Sequence, residues 1–200
     1  LTGEFHLTGQ YEHPFGYGRM TIDRGVAYGE PFDTASADLR FDGNGVWLDG
    51  ATMLKGPGRM KGAAYVGWNS TYSFNADATG VPMDQVTLFD YPGARPTGLL
   101  DFSAGGSGVF DEPTYDVRFR IADLAVAGEP VGQASGTLGL RGDELRGQVD
   151  VASPRMAMTG TGRLSLARRG TSEVTFRFHD TSLDPYVRLF VPKQIGRAHV

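Results

Sequence analysis

The chain contains no cysteine, which excludes a disulfide framework, a thiolate metal site and thiol redox chemistry. That absence leaves the compartment open, because many periplasmic proteins also lack cysteine. No stretch approaches the roughly 18 apolar residues that a membrane-spanning helix requires. An excess of positive charge is missing as well: 19 basic residues stand against 23 acidic ones, for a net charge of −4. Without a concentrated positive field to meet phosphate backbones, nucleic acid is not expected as a partner. The opening Leu1-Thr2-Gly3-Glu4-Phe5-His6 is neither an initiator methionine nor a secretion signal, so the chain reads as cut from something longer.

What is abundant is glycine. The 29 glycines in 200 residues are about twice the average usage, and they fall between short apolar runs without a collagen-like period, which implies many tight turns. At 40% hydrophobic the chain can bury a real apolar surface, so disorder is not expected.

From Met20 onward the residues alternate apolar and polar with period two, the mark of strands with one dry and one wet face. Tyr115, Val117, Phe119 and Ile121 share one face, while Asp116, Arg118 and Arg120 share the other. The same split recurs at Met20/Ile22, Leu39/Phe41, Tyr72/Phe74, Leu100/Phe102 and Leu138/Leu140. It continues at Val149/Val151, Met156/Met158, Leu164/Leu166 and Val174/Phe176/Phe178. About fourteen strands of about five to eight residues are predicted. Turn signals separate them, including Asp42-Gly43-Asn44-Gly45, Gly56-Pro57-Gly58 and Arg141-Gly142-Asp143, so neighbouring strands are expected to be hairpin-joined and antiparallel. Two stretches break the alternation, Pro82 to Asp90 and Thr181 to Phe190, where helical spacing predicts a short helix or turn.

These breaks belong to an internal repeat. Gly29-Glu30-Pro31 is matched by Gly128-Glu129-Pro130 and His13-Pro14 by Glu112-Pro113, both at an offset of 99. Leu88-Phe89 is matched by Leu189-Phe190 at 101, and Thr2-Gly3 by Thr97-Gly98 at 95. Two units of about 100 residues are predicted, 1–94 and 95–192. Residues 193–200 are set apart as a tail expected to be non-native, because Ile195 to Val200 can be written in codons that reproduce a common sequencing-adapter oligonucleotide.

Two such units suggest an all-β protein with one long antiparallel sheet. If that sheet folds over on itself, its dry face is a sandwich core and says nothing about function. If it curls into an open groove, the dry strip far exceeds the few hundred Å² that soluble proteins leave exposed and needs an apolar ligand.

Three segments carry a resemblance: Gly18-Arg-Met-Thr-Ile-Asp-Arg-Gly-Val-Ala-Tyr-Gly29, Val46-Trp-Leu-Asp-Gly-Ala-Thr-Met-Leu-Lys-Gly-Pro-Gly58 and Arg95-Pro-Thr-Gly-Leu-Leu-Asp-Phe-Ser-Ala-Gly105. They resemble the glycine-punctuated strands of the AsmA-like superfamily, TamB-like members included, over roughly residues 15–192. The resemblance implies a β-taco-like groove in a periplasmic protein whose full-length form is anchored in the inner membrane, with phospholipid conducted along the greasy interior toward the outer membrane. Lacking the anchor helix and the carboxy-terminal signature domain, this chain reads as a middle section. Its expected partners are phospholipid, flanking repeats of the same full-length chain and an outer-membrane protein. The expected lining is the set of dry-face residues named above, with no catalytic residue, metal or cofactor.

Sharper motifs have plainer readings. Gly16-Tyr17-Gly18 and Gly160-Thr161-Gly162 have the look of phosphate loops but lack the strand-to-helix setting, and read as turns. His6, His13 and His179 lack the spacing of metal ligands, and Arg141-Gly142-Asp143 spells an adhesion tripeptide where a hairpin turn is wanted. Competing classes are a structural or adhesive β-sandwich or solenoid with a closed core, and an outer-membrane β-barrel, which the short predicted strands disfavour. An enzyme would need clustered carboxylates in a pocket.

Overall fold

The computed structural model describes residues 1–27, 29–90, 95–154, 156–167 and 170–179, the side chains of Leu88 and Met156 excepted. The described chain is almost entirely strand. The first six strands are β1 (Thr2–Gln10), β2 (His13–Ala27), β3 (Glu30–Asp42), β4 (Gly45–Lys55), β5 (Gly58–Gly67) and β6 (Thr71–Pro82). The second six are β7 (Pro96–Val109), β8 (Thr114–Val126), β9 (Glu129–Arg141), β10 (Glu144–Ser153), β11 (Met156–Ser165) and β12 (Glu173–His179). Spatial order equals chain order, and each strand runs antiparallel to the one before it. β1 and β12 do not pair with each other, so the sheet is one long, curled layer left open.

The described residues form twelve strands, where about fourteen are expected for the whole chain, and some of these strands run through points where glycine was taken as a turn. β2 has 15 residues and contains Gly16-Tyr17-Gly18, and Gly160-Thr161-Gly162 lies inside β11. The turn reading of both motifs is thus wrong, and so is the length argument against a barrel. What separates this sheet from a barrel is that its ends do not meet.

The reason is steric. Rings from neighbouring strands lie over two of these glycines: a Cβ on Gly18 would collide with the Phe5 ring, and one on Gly160 would come within 3.0 Å of Phe176. Gly136 lies beneath Phe119, and Gly43 beneath Phe15, in the same manner. A glycine opposite an aromatic lets the ring cover the backbone of its neighbour. Glycine therefore serves the strand interiors as well as the turns.

The register of the first three strands recurs 99 residues later. Phe5 faces Gly18 and Ala104 faces Val117; Ile22 faces Ala35 and Ile121 faces Ala134; Ala27 faces Glu30 and Val126 faces Glu129. Irregularities recur as well: Arg24 and Asp123 both adopt left-handed φ (54° and 52°), and Gly29 and Gly128 share φ values of 82° and 83°. The Gly43 amide donates to the Pro14 carbonyl as the Gly142 amide does to Pro113, each at 2.9 Å.

The break at Pro82 to Asp90 holds two single-turn 3-10 helices, Met83–Gln85 and Thr87–Phe89. Met83 packs with Ile121, Val131, Ala134 and Val151, and Phe89 lies against the same cluster, so the segment covers one rim of the dry face over β8–β10. Glu30 anchors it, accepting from the Thr87 amide (3.1 Å), the Thr87 hydroxyl and Lys55 Nζ (2.8 Å). The second break, Thr181 to Phe190, and the tail 193–200 lie outside the described residues.

Candidate functional site

Directly opposed residues of an antiparallel pair project from the same face, so the pairing register maps that face strand by strand. One row runs from Phe5 through Gly18, Leu39, Leu48, Ala64 and Phe74. It continues through Gly106, Tyr115, Leu140, Leu145 and Leu164. Phe41 and Tyr72 share the neighbouring row with Val46 and Val66. On the other side Met20 faces Ala37, and a row of small residues, Ala51, Gly62, Ala76 and Ala104, leads to Val117, Leu138 and, on β12, Val174.

The next row starts at Ile22 and crosses Met53, Met60, Ala78, Phe102, Phe119 and Val149 to Phe176. The last joins Leu100, Ile121, Ala134, Val151, Met158 and Phe178. No charged residue stands in any of these rows.

The expected lining residues inside strands thus share one face. Two need comment. Leu166 follows the end of β11 and lies in the connection to β12, 60% exposed, so the strand face does not hold it; its expected alternation with Leu164 ends where the strand ends. Met156 opens β11 opposite Ser153, at the rim.

Among the described residues this face has no second layer beyond the 3-10 segment at one rim. Substantial contacts run only between neighbouring strands and to the 3-10 segment. Among the described residues no large side chain is fully sequestered, although Leu39, Tyr72, Ile121 and Val151 are buried. Most of the rest, Phe41, Phe74, Phe102, Tyr115, Phe119, Leu138 and Val149 among them, are half-buried. Toward β12 Val174, Phe176 and Phe178 are about half exposed (48%, 56% and 49%). In β2–β6 the small-residue row forms the floor of a cleft of about 240 Å³ between Met53 and Met60 on one side and Leu48 and Phe74 on the other. A second apolar cleft of about 170 Å³ lies between Leu138, Val149, Leu164 and Phe176.

The opposite face is wet and charge-balanced. Arg19 donates to Asp38 at 2.7 Å, a hydrogen bond that raises the arginine pKa and lowers the aspartate's. Arg141 pairs with both oxygens of Asp116 at 2.8 Å, and Arg40 lies over the Trp47 ring. The Asp42 carboxylate is held below its ordinary range, first by the Trp47 indole N–H and then by the Asn44 amide. The wet face over β7–β12 carries depressions too, one of about 490 Å³, but Asp116, Arg146, Arg163 and Glu173 mix both signs along it. The described histidines are spread over β1, the start of β2 and the end of β12, with His13 Nδ1 bonded to the Gly43 carbonyl (2.8 Å).

Leu48 and Met53 were missed because β4 carries a bulge between Leu48 and Ala51 that switches its alternation, with Gly50 at φ 57°. The alanines were missed because a methyl group barely registers in a pattern of large apolar residues. The Asp49-Gly50 pair inside an apolar run was the available signal.

No helix among the described residues is long and apolar enough to cross a membrane. No family model matches the chain, and neither curated proteins nor solved structures yield a significant match.

Proposed function

We propose that this chain is a non-enzymatic segment of a periplasmic lipid-conducting or envelope-biogenesis protein, which holds phospholipid acyl chains on the dry face of its sheet. One observation carries the reading: among the described residues an uncharged apolar face runs continuously across twelve strands, covered only at one rim by the 3-10 segment. Water is a poor solvent for such a surface, and an acyl chain covers it without demanding a hydrogen-bond partner. The resemblance of the glycine-punctuated strands to the AsmA-like superfamily supports the same reading.

The mechanism is passive. Each buried methylene contributes about 0.8 kcal/mol, so a chain of about fifteen carbons gains roughly 10 kcal/mol gross before the costs of ordering it. The rows repeat from strand to strand, which makes successive positions along the sheet nearly equivalent. A chain that binds equally well at each can slide. The methionines Met20, Met53, Met60 and Met158 give the lining a shape that adapts to kinked or straight chains.

A closed sandwich core is the structural alternative, and the single open layer argues against it. The test is native mass spectrometry with lipid extraction on protein purified from a bacterial envelope. Co-purifying phospholipid is expected; a lipid-free, stable protein that also refuses added phospholipid would overturn the proposal.

A further inference from the structure

The 3-10 segment between β6 and β7 touches both halves of the sheet. Met83 is 4% exposed and packs into the apolar cluster of Ile121, Val131, Ala134 and Val151, with Phe89 against the same cluster. Further along the segment, the Thr87 amide and hydroxyl donate to Glu30 at the start of β3, and the hydroxyl lies 3.4 Å from the Gly29 carbonyl. From β3 to β8 a flat sheet would measure about 24 Å, whereas the chain from Met83 to Thr87 spans at most about 14 Å. The curl of the sheet brings both within reach of one short segment.

That segment lies on surface an acyl chain would use. Ile121, Ala134 and Val151 form one row of the dry face and are buried with Met83, while Phe102, Phe119 and Val149 in the next row are half-buried. Its own backbone is self-contained: the Val86, Phe89 and Asp90 amides donate to the Met83, Val86 and Thr87 carbonyls, each at 3.1 Å. Lifting it leaves those amides satisfied, breaks the tie at Thr87 and uncovers an apolar row. We propose that the 3-10 segment is a displaceable gate on the lipid-holding face: Met83 and Phe89 take the place of an acyl chain over β8–β10, lipid displaces them, and the Glu30–Thr87 contact sets how often the gate stands open. The gate rests on the lipid reading and adds regulation to it. A face that must first shed its cover binds in proportion to the fraction already uncovered, so loosening the tie strengthens apparent binding. A segment that merely braces the sheet gives no such gain.

The test titrates a fluorescent fatty acid, dansylaminoundecanoic acid, into the unmodified chain and into Thr87→Val and Glu30→Gln, substitutions that leave every dry-face residue in place. Each variant is expected to bind the probe with a severalfold lower apparent Kd. In the unmodified chain, added probe is expected to speed chymotrypsin cleavage between Met83 and Asp90 relative to cleavage elsewhere, where a ligand that simply tightens the fold would slow it; this arm does not depend on any variant folding. Probe bound equally well or more weakly by the variants, or cleavage of the segment slowed by the probe, would overturn the gate and leave the lipid reading standing. Probe bound by none of the three proteins would overturn both.

Discussion

The phenol of Tyr72 on β6 reaches past β7 to the backbone of Thr114 on β8, accepting the Thr114 amide at 2.8 Å and lying 3.4 Å from its carbonyl. Three strands are tied by one side chain, and the crossing is open because β7 opposite it carries Gly106 and Gly108. Phe110 and Tyr115 lie against the same ring at centroid distances of 5.2 and 5.8 Å. In Tyr72→Phe the ring contacts survive and the half-buried Thr114 amide loses its acceptor. A loss of about 1–3 kcal/mol is expected in urea unfolding.

Glycines beneath rings and glycines in open space should respond oppositely to one methyl group. A Cβ on Gly136 would run into the Gln148 carbonyl and the Phe119 ring, whereas one on Gly105 meets nothing nearer than the Phe74 carbonyl at 3.6 Å. Gly136→Ala is expected to cost about 1–3 kcal/mol through overpacking. Gly105→Ala should be neutral or stabilising by up to about 1 kcal/mol, since alanine has less backbone freedom to lose. Paired denaturation curves check both.

Glu30 holds the 3-10 segment to the sheet, with its Lys55 partner only 16% exposed. Glu30→Ala strands that ammonium and removes the acceptor of Thr87. Faster protease cleavage between Met83 and Asp90 is expected, with the rest of the sheet cut no faster than before.

The β3–β4 turn should be acid-sensitive. Asp42 accepts from the Trp47 indole and the Asn44 and Gly45 amides, which lower its folded pKa. The lowered value means that its stabilisation is fully present above the unfolded pKa of about 3.9 and is lost as pH falls through the folded one. Asp42→Asn should flatten that acid limb, read from Trp47 fluorescence with Trp68 replaced by phenylalanine.

Much of the fold was legible because period two survives in most strands: Tyr115 to Ile121 and Val174 to Phe178 show their faces in the sequence itself. Strand lengths were not, since glycine signals a turn and a strand interior with the same letter; Gly18 and Gly43 both lie beneath rings, but Gly18 continues β2 while Gly43, at φ 82°, turns the chain between β3 and β4. The dry face was legible wherever large residues alternate, and failed at Leu48 and Met53, where a bulge reverses the alternation, and at Leu166, where alternation outlasts the strand. Whether the sheet closes on itself was not legible at all. Closure depends on strand tilt and stagger accumulated over all the strands, which no local pattern encodes.

Charge on the dry face should harm lipid holding far more than charge on the wet one. Phe119→Asp places a carboxylate amid Phe102, Gly136 and Ile121, where an acyl chain would lie, while Arg118→Asp changes a side chain that faces solvent. Severalfold less co-purifying phospholipid is expected from the first variant and near-normal amounts from the second, measured per mole of folded protein. Equal losses would count against the groove.

The most direct measurement of the central claim is photocross-linking to phospholipid with a benzophenone amino acid placed singly at 117, 118, 119, 137 and 138. Strong cross-links at 117, 119 and 138 with weak ones at 118 and 137 would trace the dry face by its period of two. Uniform yields, or cross-links confined to 118 and 137, would contradict a lipid-holding groove.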